Sequence, residues 1–216
     1  MTTAWYAARA GGMLAFALLT ASVVLGLTLS GRARPWRRLG GADNQDARAL
    51  PVRPSAPTGR AARLLFQTTS EPWPRFAVED VHRFVGLLAG GFVGVHVLAL
   101  LVDTYVPFSL GQVLVPFTSS YRPLTTGLGV VALELLAALA VANRYRKRLS
   151  YRFWRRTHYL EFAVWAFALV HGIASGTDSG TPWGLLVYGA AAASVAGLLV
   201  WRLAGGSAAS AYSPAR

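Results

Sequence analysis

The sequence contains no cysteine among its 216 residues. Disulfides, thiolate-held iron–sulfur clusters and covalently attached c-type haem are therefore excluded. Acidic residues are also scarce, with nine Asp and Glu against 21 Lys and Arg. A net charge of +12 would suit nucleic acid, but the basic residues lie in short segments between apolar runs. This distribution is typical of a membrane protein, and we predict no nucleic-acid partner.

Long apolar runs dominate the rest of the chain. It is 54% hydrophobic and 14% charged, with a mean hydropathy of +0.40, which is too apolar for an ordinary soluble domain. We predict an all-α integral membrane protein, a bundle of five transmembrane helices in a lipid bilayer. The predicted spans are residues 5–29, 79–102, 124–143, 153–174 and 182–203.

The predicted domains follow these runs. Residues 1–30 form a first transmembrane helix, because the run is too long for a secretory signal. Residues 31–78 form a linker rich in Arg and Pro, residues 79–203 a four-helix core, and residues 204–216 a short tail. Within the core, residues 110–117 are predicted to fold against the membrane surface as a cap.

The distribution of basic residues predicts the orientation. Loops 31–78 and 144–152 are rich in arginine, whereas 103–122 holds only Arg122 and 175–181 holds none. Because basic loops remain cytoplasmic, we predict a plasma-membrane protein with its N-terminus outside and its C-terminus in the cytoplasm. The linker and the tail are then cytoplasmic.

All four histidines lie in the second and fourth predicted spans. His82 and His96 are 14 residues apart and His158 and His171 are 13 apart, which is about 20 Å along a helix. Both spans run outward, so His82 shares a depth with His158 and His96 with His171. Haem iron accepts one imidazole from each side of the ring. We therefore predict two stacked b-type haems, the inner on His82 and His158 and the outer on His96 and His171.

Other interpretations of the histidines remain open. A single histidine in an apolar helix is more often a buried polar residue than a ligand. A cation transporter would use the four as a translocation path, although the spans show no ladder of acids and no broken helix. A membrane scaffold subunit would need no haem.

The spacing on the fourth span predicts an irregular helix. At 3.6 residues per turn, 14 residues leave two side chains about 40° apart around the axis, whereas 13 residues leave them about 140° apart. We therefore expect a local irregularity between His158 and His171, or a distorted helix end beside Gly172 and Gly176.

Several polar residues near the histidines are candidates for supporting roles. Arg83, Arg155 and Arg156 near the inner level, and Tyr121 and Arg122 near the outer level, are candidates for binding haem propionates. The three inner arginines alternatively serve as positive-inside anchors. No residue is predicted to be catalytic.

Two further features of the spans allow two interpretations each. Glu134 and Glu161 lie about 12–14 Å deep and would share a proton if they faced each other, or would simply hydrogen-bond to neighbours.

Gly86, Gly90 and Gly94 recur every fourth residue. They permit close approach by either a flat ring or another helix.

The histidine spacing combines with three flanking motifs. These are Trp73-Pro74-Arg75-Phe76, Ser120-Tyr121-Arg122-Pro123, and the run from Tyr151 to Tyr159, YRFWRRTHY. Together they resemble the ferric reductase-like transmembrane domain family over residues 5–203. That family includes NADPH oxidases, ferric reductases and the haem-bearing membrane subunit of a bacterial methionine sulfoxide reductase system. The flanking segments are most similar to bacterial stand-alone members.

The resemblance implies electron transfer across the membrane through two non-covalent b haems, by an oxidoreductase or an electron-transfer subunit of one. Without a fused flavin- and nicotinamide-binding domain, the donor would be a separate cytoplasmic reductase, a bound flavin or quinol. The acceptor would be extracytoplasmic. NADPH oxidases carry a further histidine one turn beyond the outer ligand, where this chain has Leu100, which argues against dedicated superoxide production.

Overall fold

The computed structural model describes residues 2–32 and 74–211. Within these ranges the chain is helical and has no β-strand. The predicted linker lies outside the described residues except at its two ends. The helices are α1 (Thr3–Arg32), α2 (Arg75–Val102), α3 (Leu110–Leu114), α4 (Pro123–Arg144), α5 (Tyr151–His158), α6 (Glu161–Ser175) and α7 (Pro182–Ala211), with a 3₁₀ turn at Arg146–Arg148.

Four of these helices, α1, α2, α4 and α7, are long and apolar enough to cross a membrane. The chain is therefore a multi-pass membrane protein, as its composition predicts. The fourth predicted span, 153–174, differs from the expectation of one long helix. It is divided between α5, with eight residues, and α6, with 15 residues.

The division between α5 and α6 is a tightened turn rather than a loop. The backbone N–H groups of Tyr159, Leu160 and Phe162 donate to the carbonyls of Arg156, Thr157 and Tyr159 at 3.2, 2.9 and 3.2 Å. Such i→i+3 bonds wind the chain about 20° further per residue than an α-helix. The overwinding turns His158 toward the face of His171, and it is the irregularity that the 13-residue spacing requires.

The first helix, α1, is central to the bundle. α2 packs along it, α6 and α7 pack against its other sides, and α4 packs against α6. Leu19 of α1 joins Ala132 of α4 and Val164 of α6 in one buried cluster. α2 and α6, which carry His96 and His171, do not pack extensively against each other.

Two acidic residues accept hydrogen bonds from side chains at the N-terminal end of α1. Asp103, directly after α2, accepts hydrogen bonds from the Thr2 hydroxyl and from the backbone N–H of Val106, the latter at 2.9 Å. Asp178, between α6 and α7, accepts from the guanidinium of Arg9, with Nε to Oδ2 at 2.9 Å. These contacts fix the end of α1 that lies nearest to His96.

The segment between α2 and α4 folds back over the bundle. Val113 of α3 is buried, and Phe117 has a left-handed backbone with φ of 66°. A Cβ on Gly127 would lie only 2.2 Å from the Phe117 ring, so this position in α4 admits no side chain. Residues 110–117 therefore pack against the bundle through Val113 and Phe117, while Leu110 and Leu114 remain exposed.

Candidate functional site: the paired histidines

The four histidine rings lie in two opposed pairs. His82 of α2 faces His158 of α5, with ring centroids 6.1 Å apart and planes at 89°. His96 of α2 faces His171 of α6, with centroids 6.3 Å apart and planes at 75°. The rings are grouped as the sequence spacing predicts, and α2 therefore runs in the same direction as α5 and α6.

Backbone carbonyls on neighbouring helices hold three of the four rings. The bonds join Nδ1 of His82 to Ser22 at 3.0 Å, of His96 to Ala8 at 2.7 Å, and of His171 to Thr125 at 2.9 Å. A carbonyl oxygen only accepts hydrogen bonds, so Nδ1 carries the proton in each case. The lone pair of Nε2 is then the one available to a metal.

A glycine lies against each of these three rings. A Cβ added to Gly26 would lie 3.5 Å from Cε1 of His82. A Cβ on Gly12 would lie 2.9 Å from Nδ1 of His96, and one on Gly129 would lie 2.7 Å from Nδ1 of His171. Each glycine comes four residues after the residue whose carbonyl accepts the bond. Sequence reasoning missed this support, because any residue can offer a backbone carbonyl.

His158 is held differently. Its buried Nδ1 has no hydrogen-bond partner within the described ranges. The indole of Trp154 stacks on the His158 ring instead, at 5.4 Å between centroids and 12° between planes. The Trp154 N–H donates to the side-chain oxygen of Asn143 at 2.9 Å, which ties α5 to α4.

A cavity of about 220 Å³ surrounds His96 and His171. Apolar side chains form most of its wall, and Arg9 and Asp178 lie at its border. Trp5 also lines it, and the buried indole N–H of this residue has no acceptor among the described residues.

The five candidates for propionate binding have partners of different kinds. Arg83 lies 3.7 Å from Asp80, and Arg155 donates to the Tyr159 hydroxyl at 3.4 Å. Arg156 is exposed at the end of α5. Tyr121 and Arg122 donate to the carbonyls of Ser175 and Ala174. These last two side chains thus cap the C-terminal end of α6, which is the end that carries His171.

The two acids within the spans are in different surroundings. Glu134 is exposed on α4, whereas Glu161 is partly buried at the start of α6. No hydrogen bond joins the two carboxyl groups in the described part of the chain. Three glycines of α2 recur every fourth residue. Gly86 lies against Ser22 of α1, whereas Gly90 and Gly94 face open space.

The ring pairs match the geometry of a metal with two axial imidazoles. Metal–imidazole bonds are about 2 Å long, so imidazoles on opposite sides of one ion place their ring centroids roughly 6.2 Å apart. In residues 2–32 and 74–211, no group of three or more His, Asp or Glu is arranged to hold a bare metal ion.

The chain was compared with protein families, curated proteins and solved structures. A family model described as the ferric reductase like transmembrane component matches residues 55–174. This stretch includes the four histidines and helices α2 to α6, and it excludes α1 and α7. The chain matches no curated protein and no solved structure.

Proposed function

The chain belongs to the ferric reductase-like transmembrane family, and from this premise we propose that it transfers electrons across the membrane through two bis-histidine b haems. His82 and His158 ligate one haem and His96 and His171 the other. Haem supplies a reversible one-electron carrier when bound. The protein is an oxidoreductase, or the electron-transfer subunit of one.

The observation that carries the proposal is the spacing of the ring pairs. Ring centroids 6.1 and 6.3 Å apart match the spacing of two imidazoles on one iron, and the cavity lined by His96 and His171 offers space for a bound group at that pair. A cation path is less well supported. α5 and α6 are broken as transporter helices often are, but no cluster of three ligands accompanies the break in the described residues.

The surrounding residues have defined roles in this proposal. Carbonyls of Ala8, Ser22 and Thr125 hold the imidazoles in the Nδ1–H tautomer, which leaves Nε2 for the iron. The Trp5 N–H, which has no acceptor among the described residues, would be available to a carboxylate of the haem near His96. Arg83, Arg155 and Arg156 offer positive charge at the other level.

The orientation follows from the basic loops. We place 144–152 and the linker in the cytoplasm, the N-terminus outside and the protein in the plasma membrane, with α5 and α6 together making the fourth of five crossings. The donor is then a separate cytoplasmic reductase, a bound flavin or quinol. The acceptor lies on the extracytoplasmic side.

A spectrum of the purified full chain, expressed with ample haem supply, tests the proposal. Reduction with dithionite should give sharp b-type bands at about two haems per chain. His96→Ala should lose about half of the haem and keep an inner haem that a donor still reduces. A colourless protein, or a His96→Ala variant with unchanged haem content, would contradict the proposal and favour a haem-free transporter or scaffold.

A further inference from the structure

We propose that α1, which precedes the stretch that the family model matches, is a positioning helix for both haem ligands of α2. The inference rests on the proposed function, since it concerns the orientation of the same histidines. It assigns a role to residues 3–32, which the family match leaves out.

The argument begins with the register of α1 and α2. Ala8 and Ser22 are 14 residues apart, and so are Gly12 and Gly26, as well as His82 and His96. Fourteen residues make nearly four helical turns, so each set returns to almost the same face. α1 therefore presents the same carbonyl and glycine twice, once to each histidine of α2.

The glycine makes the carbonyl accessible from the side. The carbonyl of residue i already accepts the N–H of residue i+4 within the helix, but its oxygen has a second lone pair. In an α-helix the side chain of a residue covers the turn before it, so the side chain at i+4 covers this oxygen. Glycine at i+4 uncovers it, and a histidine ring from another helix can then lie against the backbone and donate.

The same arrangement occurs a third time, on α4. Thr125 accepts from His171, and Gly129 is the residue at i+4. Its Cβ would lie 2.7 to 2.8 Å from three atoms of the His171 ring. The pattern thus occurs three times, each time with a histidine. A Cβ would lie under 3.0 Å from the ring at Gly12 and Gly129, whereas its contact of 3.5 Å at Gly26 is an ordinary one.

The arrangement affects the iron through its ligand. A hydrogen bond from Nδ1 fixes the ring rotation and raises the basicity of the imidazole. A more basic ligand stabilises the ferric state, so a loss of this bond should raise the midpoint potential of the haem concerned.

Alanine variants at the three glycines test the inference in the haem-loaded full chain. We would measure the low-spin ferric EPR signal and the midpoint potential of each haem, assigning the signals with His96→Ala. Gly129→Ala and Gly12→Ala should shift the EPR signal of the His96/His171 haem and raise its potential, leaving the other haem unchanged. Gly26→Ala, with its contact at 3.5 Å, should have the smallest effect, confined to the His82/His158 haem.

Gly91→Ala and Gly197→Ala are the matched controls, because a Cβ at either position meets nothing within 4 Å. Both should leave both haems unchanged. Ser22→Ala, also on α1, covers the case in which Gly12→Ala does not fold. It removes only the contact of the hydroxyl with His82 Nδ1 at 3.3 Å and should raise the potential of that haem slightly.

The outcomes separate the two proposals. A colourless wild-type protein contradicts the proposed function. A wild-type protein with two haems, in which Gly12→Ala behaves like Gly91→Ala, leaves the function intact and overturns the role of α1.

Discussion

Trp154 stacks on the ring of His158, 5.4 Å away and nearly parallel to it. The other three histidines rest against glycine and donate to a carbonyl, but α4 cannot repeat that support at this depth. His158 and His171 are 13 residues apart, and the residue 13 positions after Gly129 on α4 is Ala142 rather than glycine. His158 also lies on α5, which the tightened turn separates from α6. An aromatic contact takes the place of the hydrogen bond here.

We expect Trp154→Ala to weaken the His82/His158 haem selectively, because it removes the surface that orients His158. Trp154→Phe should retain most of that haem, since it keeps the stacking and loses only the bond to Asn143. Haem stoichiometry and the EPR signal of each haem measure the effect. Trp201→Ala is the control, as Trp201 is exposed on α7; equal loss of both haems in Trp154→Ala would contradict the assignment.

Gly127→Ala should destabilise the protein by about 1–3 kcal/mol, because the added methyl group would overlap the Phe117 ring. Thermal unfolding in detergent measures the loss, and limited proteolysis of residues 103–122 should become faster. Gly189→Ala is the matched control in α7, where a Cβ meets nothing within 4 Å. It should be neutral or stabilising by up to about 1 kcal/mol. Indistinguishable melting of the two variants would argue against the close contact.

The ion pair of Arg9 with Asp178 should show a coupling energy of about 1–3 kcal/mol in a double-mutant cycle. The side chains of Arg9 and Asp178 are only 27% and 13% exposed, so the burial of this ion pair is intermediate between that of a surface pair and that of a fully buried pair. The cycle uses Arg9→Met, Asp178→Asn and the double variant, with unfolding free energy as the readout. Additive effects within about 0.3 kcal/mol would show that the pair contributes nothing.

Asp103 should make stability depend on acid pH. Burial alone raises the pKa of its carboxyl, but hydrogen bonds from Thr2 and from nearby backbone amides outweigh it and hold the pKa below the usual 3.8. Because the folded-state pKa is the lower one, the stabilisation is complete above the unfolded value and is lost as the pH falls through the folded value.

Unfolding temperatures of wild type and Asp103→Asn between pH 6 and pH 2 test this dependence. The wild type should be more stable at pH 6, and the two curves should converge below about pH 4. Asp80→Asn, at an exposed carboxyl, should follow the wild type throughout. A constant difference between wild type and Asp103→Asn would contradict the prediction.

Sequence spacing predicted the pairing of the histidines because helix pitch fixes their depth and rotation. It also required an irregularity between His158 and His171. It could not locate that irregularity, since residues 156–162 contain neither Gly nor Pro. The tightened turn is formed by backbone hydrogen bonds. Because any residue can make these bonds, the position of the turn cannot be predicted from residue types.

The supports of the rings were not predictable from residue types, because their acceptors are backbone carbonyls. A signal was nevertheless present. Gly12 and Gly26 repeat the 14-residue interval of His82 and His96, and a search for matching intervals between helices would have found it. Hydropathy likewise placed α1, α2 and α4 within four residues. It also placed the start of α7, but that helix continues eight residues beyond the predicted end at residue 203. The short α5 and α6 required tertiary packing.

The central place of α1 has a consequence for how the protein is made. A ribosome completes α1 and releases it toward the bilayer before it has translated α2, since domains and segments emerge N-terminal first. The uncovered carbonyls of Ala8 and Ser22 are thus already presented when His82 and His96 arrive. Assembly can proceed by docking α2 onto a finished template, with the partners from α5 and α6 joining last.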